Sequence, residues 1–336
     1  MLYVTTRNQR DFFTAHHSLR EDRAGDGGFY IPFQNICFGS VTVNALREKP
    51  FNQCVADVLN LFFSARLSPL DIDFSVGRYP VRLVPMSHKI MIAELWNNLD
   101  RDFSRAVLDL IKRILKSAEN KEVSNWAYIA VRIAFLFGIF SELQRFGIVD
   151  SKRTIDLSVP AGNFSAFMAV YYARRMGLPI GKIIVSDDEF GLLWELLHNG
   201  TVTFNSSKLN IPENLERFIH SALGTEGTKR FVLTQQNRRI YTVTDDESAI
   251  LNDGLFSAVI SQKRTQRVIN NVYRTSGYVL HPESALAYGG LQDYRATEAE
   301  AGPALILSEK GPHCDAETVA KAIGISASEL KERINT

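Results

Sequence analysis

Apolar and polar positions separate most cleanly in the middle of the chain. Thr154-Ile-Asp-Leu-Ser-Val-Pro160 alternates and then stops at proline, as a buried strand does. Ala161-Gly-Asn163 supplies turn residues. Ser165 to Met176 then carries Phe167, Met168, Val170 and Tyr171 at helical spacing, with Arg174 and Arg175 in the last turn and Gly177 as the stop. Lys182-Ile-Ile-Val-Ser186 reads as a second strand, and Glu189 to His198 as a second helix ended by Asn199-Gly200. Strand–helix–strand–helix at this spacing is a βαβ unit, whose crossover implies parallel strands. The same reading predicts helices over 104–118, 212–223, 247–267, 282–288 and 315–322, and a late strand over 302–308. The most apolar stretch, Trp126 to Phe140, is interrupted by Arg132 and is too short to span a bilayer, which predicts a core helix. The first 85 residues carry no comparable pattern. The class is α/β with a mostly parallel sheet.

Composition narrows the function classes. The chain has 336 residues, 45% hydrophobic and 22% charged, enough apolar mass for a sizeable core. Lys+Arg 38 against Asp+Glu 37 leaves a net charge of +1, so no long-range field attracts nucleic acid or an anionic membrane, and neither is expected as a partner. Cys37, Cys54 and Cys314 lie far apart with no C-x-x-C pair. That argues against a disulfide framework or a cysteine zinc site and for a reducing compartment. The opening residues lack the basic-then-apolar order of a secretory signal, so the expected location is the cytoplasm. His16 and His17 are adjacent and point apart on a helix, so no metal site is expected. Gln262 to Arg267 is basic but short, and reads as a solvated helix face.

Phosphate loops of the G-x-x-x-x-G-K-[ST] kind, G-x-G-x-x-G, H-E-x-x-H and G-x-S-x-G are all absent. One local segment has a mechanism. Pro160-Ala-Gly-Asn-Phe-Ser165 lies where a strand's carboxyl end passes into a helix N-terminus, and the free N–H groups and positive dipole end there favour an anion, usually phosphate. Gly162 lets the backbone approach a ligand, and Asn163 and Ser165 offer further hydrogen bonds. The competing reading is a plain strand-to-helix turn with Ser165 as its N-cap.

The same segment carries a family resemblance. Val159-Pro-Ala-Gly-Asn-Phe-Ser165, followed by Tyr171-Tyr-Ala-Arg-Arg-Met-Gly-Leu-Pro179, resembles the V-P-[ST]-G-N-F-G-[DN] … Y-A-x-x-M-G-L-P stretch of threonine synthase, a pyridoxal-phosphate lyase of fold type II. Further matches run in the same order. Tyr3-Val-Thr-Thr-Arg7 and Ala24-Gly-Asp-Gly-Gly-Phe-Tyr-Ile-Pro32 are similar to Y-x-S-T-R-G and A-P-D-G-G-L-[YF]-x-P. Pro212 to Arg217 is similar to P-S-N-F-E-R, Thr244 to Ser248 to D-E-E-T, and Gly277 to Ala285 to G-Y-x-x-D-P-H-[TS]-A. The fold this implies is a tryptophan-synthase-beta-like, type II body with a mostly parallel sheet. Residues 1–122 would be an N-terminal segment with a remnant of the lysine-bearing subdomain, and 123–336 the large α/β domain. The resemblance implies cofactor and phosphate contacts at Gly162, Asn163, Phe164 and Ser165.

The chain departs from the family where the chemistry should be. The family's E-L-F-H-G-P-T-x-A-F-K-D, whose lysine forms the Schiff base, is matched by Glu94-Leu-Trp-Asn-Asn-Leu-Asp-Arg-Asp-Phe-Ser-Arg105, which puts Ser104 at the lysine. Serine cannot form an imine. Lys89, Lys112 and Lys116 are the nearest lysines in sequence and lack the F-K-D context. The family's A-T-S-G-D-T-G loop and about a half-domain after it have no counterpart: 104–121 leads directly to Val123-Ser-Asn125, similar to the later S-I-N-x-x-R helix, so the smaller cofactor subdomain is largely deleted. Near the end, Ser308 to Asp315 stands for G-T-A-H-P-A-K-F, placing Glu309 at the threonine that faces the cofactor's ring nitrogen.

These departures lead to an expected threonine-synthase-like protein that has lost pyridoxal-phosphate catalysis. It would bind a small phosphorylated ligand or regulate by interaction, and would take pyridoxal phosphate only non-covalently. The alternative is an active threonine synthase converting O-phosphohomoserine to threonine and phosphate. Asn97, Asn98, Asp100 and Glu309 are the further cleft candidates. The run Asp100, Arg101, Asp102, Ser104, Arg105 reads as a charged helix start. Loss of the subdomain would uncover apolar surface, with Trp96, Trp126 and 135–140 as its parts, predicting a homodimer or a protein partner.

Overall fold

The computed structural model describes residues 1–34, 37–38, 40–76, 81–87, 89–96, 103–116, 123–149, 153–162, 164–188, 191–204, 212–298, 300 and 302–335. Leu2–Thr5 (β1), Phe13–Thr14 (β2) and Tyr30–Pro32 (β3) form a small antiparallel sheet, with the helix Ala15–Arg20 (α1) between β2 and β3. Helices Ser40–Arg47 (α2), Phe51–Phe63 (α3) and Pro69–Val76 (α4) follow, then the antiparallel pair Arg82–Pro85 (β4) and Ile90–Glu94 (β5). Phe103–Leu115 (α5) and the long Asn125–Arg145 (α6) precede the expected βαβ unit, seen as Ile155–Pro160 (β6), Ser165–Arg175 (α7) and Ile180–Asp187 (β7). Leu192–Asn199 (α8), Thr201–Thr203 (β8), Asn214–Gln236 (α9) and Ile240–Thr242 (β9) come next. The chain ends with Asp245–Asn252 (α10), Leu255–Val259 (β10), Gln262–Ser276 (α11), Pro282–Thr297 (α12), Ala304–Ser308 (β11), Ala316–Ile323 (α13) and Ala327–Asn335 (α14).

The main sheet runs β10-β7-β6-β11-β5-β4, parallel throughout except at its β4 edge. Its inner strands read Ile-Leu-Val on both faces because helices cover both. One face packs on α6, α7 and the N-terminal helices, the other on α11, α12 and α13. Strands from before residue 122 complete this sheet, so the boundary at 122 does not divide it in space.

Two further expectations are corrected. The helix expected over 247–267 is interrupted by β10: Asp253 and Gly254, the glycine with φ 69°, turn the chain, and Leu255-Phe-Ser-Ala-Val259 joins the edge of the sheet. An amphipathic helix signal on both sides masked a five-residue strand that only its pairing with β7 reveals. Of the apolar set assigned to an interface, Trp96 is half-buried, while Trp126 and the aromatic residues of 135–140 are interior. Trp126, Phe135, Phe137 and Phe140 are each at most 1% exposed, with Phe51 and Phe103 edge-on to Phe135 at 5.5 Å. Among the described residues, α6 is the helix long and apolar enough to cross a membrane, and it is buried in the core. Gly138 makes this possible, since a Cβ there would stand 2.6 Å from the Phe51 ring.

Candidate functional site

A cavity of about 310 Å³ opens where β6 and β11 end and α7 begins, the crevice outside strand carboxyl ends where open α/β sheets bind ligands. The turn into α7 is tight: Gly162 has φ 46°, Phe164 has φ 64°, and the Phe164 N–H bonds the Ala161 carbonyl at 2.7 Å. A buried phenylalanine in the left-handed region is unusual. The ring holds it there, 1% exposed and edge-on to Phe167 at 6.0 Å. Phe164, not Ser165, is the N-cap residue, and it caps with no side chain. Phe164 itself offers the first turn of α7 no side-chain cap, and the Ser165 hydroxyl turns toward α6.

That hydroxyl accepts a hydrogen bond from Nη1 of Arg132 at 3.1 Å. Arg132 reaches the cavity from the middle of α6 and is 7% exposed. Its other edge meets Glu309 in a two-pronged pair, Nε to Oε1 and Nη2 to Oε2, the latter at 2.6 Å. The guanidinium also lies 4.6 Å from the Phe103 ring centroid and 5.7 Å from that of Tyr128. A buried guanidinium is tolerated only when paired and hydrogen-bonded, and here both conditions are met. Arg132 thereby links Glu309, after β11, to the first residue of α7.

Ser104 sits on the first turn of α5 and lines this cavity. Lys89, Lys112 and Lys116 do not line it; Lys310 does. The Lys310 Nζ lies 2.8 Å from Oε1 of Glu283, both half-exposed at the mouth. Burial lowers the Lys310 ammonium's pKa, but the hydrogen bond and charge of Glu283 outweigh it and hold it above the ordinary lysine value. Lys310 is therefore a cation at neutral pH. Asn125, the first residue of α6, also lines the cavity, and its amide donates to Glu213 at 2.6 Å.

Of the residues expected from sequence, Ser104, Gly162, Ser165 and Glu309 converge on this cavity, whereas Phe164 is buried and does not line it. Asn97, Asn98, Asp100 and Asn163 lie outside the described residues. The sequence reading missed Arg132, Tyr128, Glu283 and Lys310. Arg132 had a signal: a single cation inside the most apolar helix must find a buried acid.

No family model matches the chain. The chain is 25% identical over 200 residues to Threonine synthase-like 1 of Macaca fascicularis, covering 56% of this chain and 26% of that one. It is 27% identical over 250 residues to threonine synthase of Corynebacterium glutamicum, covering 67% of this chain and 50% of that one. The chain thus matches between a quarter and a half of the length of these relatives. Among solved structures it superposes on a PLP-bound threonine synthase from Brucella melitensis with a TM-score of 0.83 at 18% identity, covering 100% and 94% of the two chains. Yeast threonine synthase gives 0.83 at 16% identity, covering 99% and 94%. The fold is the type II α/β fold that the motifs implied.

Proposed function

The chain is a relative of the threonine synthases, and from that premise we propose that it binds a small phosphorylated ligand at the Gly162–Ser165 turn without pyridoxal-phosphate catalysis. One observation carries the reading: Ser104, which the resemblance sets against the Schiff-base lysine, lines the same cavity as Gly162 and Ser165. The residues present do not fit a cofactor held covalently. Serine forms no imine, and the lysine that does reach the cavity is kept protonated by Glu283. A carboxylate, Glu309, stands where the resemblance puts the ring-nitrogen partner, and both its oxygens are occupied by Arg132. The turn leads into the N-terminus of α7, and Arg132 adds a cation hydrogen-bonded to its first residue, Ser165. A phosphorylated small molecule in the cytoplasm is the ligand class this set accommodates.

The test has two arms. The purified chain is titrated with pyridoxal phosphate, and the absorbance is followed before and after borohydride. We expect no band that reduction fixes onto a lysine; a reduced adduct on Lys310 would overturn the loss of catalysis. Inorganic phosphate and O-phosphohomoserine are then titrated calorimetrically. Saturable binding that Gly162→Val abolishes is expected, and no binding by either would overturn the anion site. Growth of a threonine auxotroph carrying the well-expressed chain would instead favour an active threonine synthase.

A further inference from the structure

A second cavity, of about 670 Å³, lies against another face of α6 and shares no lining residue with the first. At 100° per residue, Trp126 and Ile133 stand about 100° around the helix from Asn125 and Arg132. One wall is aromatic: Trp126 meets Phe62 at 5.8 Å and Tyr172 at 6.0 Å, both edge-on, and Ile31 and Met176 extend the apolar lining.

The opposite wall is polar and carries one cation. Gln9 Nε2 and His220 Nε2 are 3.0 Å apart, and burial lowers the pKa of His220 below its ordinary value, so the imidazole is neutral. The Tyr172 and Ser221 hydroxyls are 2.9 Å apart. The Arg175 guanidinium donates to the Ser221 carbonyl and lies 5.7 Å from the Tyr171 ring, with no carboxylate partner among the described residues. Here α9 breaks. Gly224 adopts φ 69°, ψ −164°, a conformation essentially reserved for glycine, and a Cβ there would meet nothing within 4 Å. The break is therefore not forced by crowding. The break places Gly224 and Thr225 on the cavity wall.

We propose that this cavity binds a small monocarboxylic acid with an aromatic or branched apolar body. The carboxylate is held by Arg175 beside the break in α9, and the body packs on Trp126, Phe62 and Met176. A single guanidinium beside a neutral imidazole balances one negative charge, not the two of a phosphate monoester. The apolar wall is too extensive for a ligand without a hydrophobic body.

The probe is phenylacetate, with phenylacetamide as its uncharged match, titrated into the full chain by calorimetry and by fluorescence of the three tryptophans. One saturable site is expected, at least about tenfold tighter for the acid than for the amide. Arg175 is exposed, so Arg175→Gln keeps the fold, which a melting curve checks. It should weaken the acid about tenfold and leave the amide unchanged. Trp126→Phe should remove the fluorescence change. Arg132→Gln, which alters the first cavity, should leave phenylacetate binding as it is, so this site can fail or survive independently of the phosphate turn. No saturation in the low millimolar range, equal binding of acid and amide, or insensitivity to Arg175→Gln would each overturn the proposal.

Discussion

Arg132 and Glu309 offer the sharpest test of the first cavity, because their energies are coupled. Arg132→Met keeps an unbranched side chain against Phe103 and Tyr128 but leaves the Glu309 carboxylate without its two donors. Removing one partner of a buried ion pair costs about 3–5 kcal/mol. The Glu309 side chain keeps 18% exposure, which lets water repay part of that, so about 2–3 kcal/mol is expected. At roughly 2.1 cal/mol/K per residue, each kcal/mol moves the Tm of a chain this long by about 1.5 °C, giving a fall of about 3–5 °C. Glu309→Leu alone strands the guanidinium, although Ser165 and the two rings still hold it. In the double variant no charge is stranded, so its loss should be smaller than the sum of the singles by at least about 1 kcal/mol. Melting curves of the four proteins complete the cycle. Strict additivity within about 0.5 kcal/mol would refute the coupling, and with it the claim that this pair links β11 to α7. Glu309→Gln adds a second readout: with the neighbouring negative charge gone, inorganic phosphate should bind several-fold tighter.

The remaining predictions concern packing and pH. Gly138→Ala should lower the denaturant midpoint: its Cβ would stand 2.6 Å from Phe51, and overpacking of about 1–3 kcal/mol outweighs a helix-propensity gain of about 1 kcal/mol. An unchanged midpoint would show that α3 yields freely. Burial raises Asp187 from 3.8 to about 6, so its protonated form favours the fold, a contribution present below pH 3.8 and lost as pH rises through about 6. Asp187→Asn should therefore stabilise at pH 8, by at most about 3 kcal/mol, and do little at pH 4. His281 has the opposite sign. Burial, with Lys310 nearby, depresses it from 6.5 to about 4, and its neutral Nδ1 accepts from the Glu283 N–H at 3.2 Å to cap α12. That stability is present above pH 6.5 and lost as pH falls toward 4, and His281→Asn, which keeps a cap acceptor, should flatten the acid limb of a stability–pH curve.

The sequence by itself determined whatever depends on near neighbours. The alternation over Thr154–Pro160, the turn at Gly162 and the helical spacing after Ser165 specify β6, the turn that follows it and α7, because each is settled by backbone sterics within a few residues. The identity of Ser104 is equally local, since no fold can make an imine from a serine. Tertiary structure alone decided what surrounds that turn. Arg132, Ser165, Glu283 and Glu309 are separated by up to 177 positions and meet only because α6, α7, α12 and the chain after β11 converge on one cavity. The same holds for β10, whose apolar residues fit helix or strand until β7 supplies hydrogen bonds, and for the second cavity, whose walls come from α6, α7 and the break in α9. Hydrophobic burial is non-directional, so an apolar pattern says that Trp126 and Phe135 go inside. Which elements cover them, and which polar groups come to share a cavity, is settled by how the layers pack.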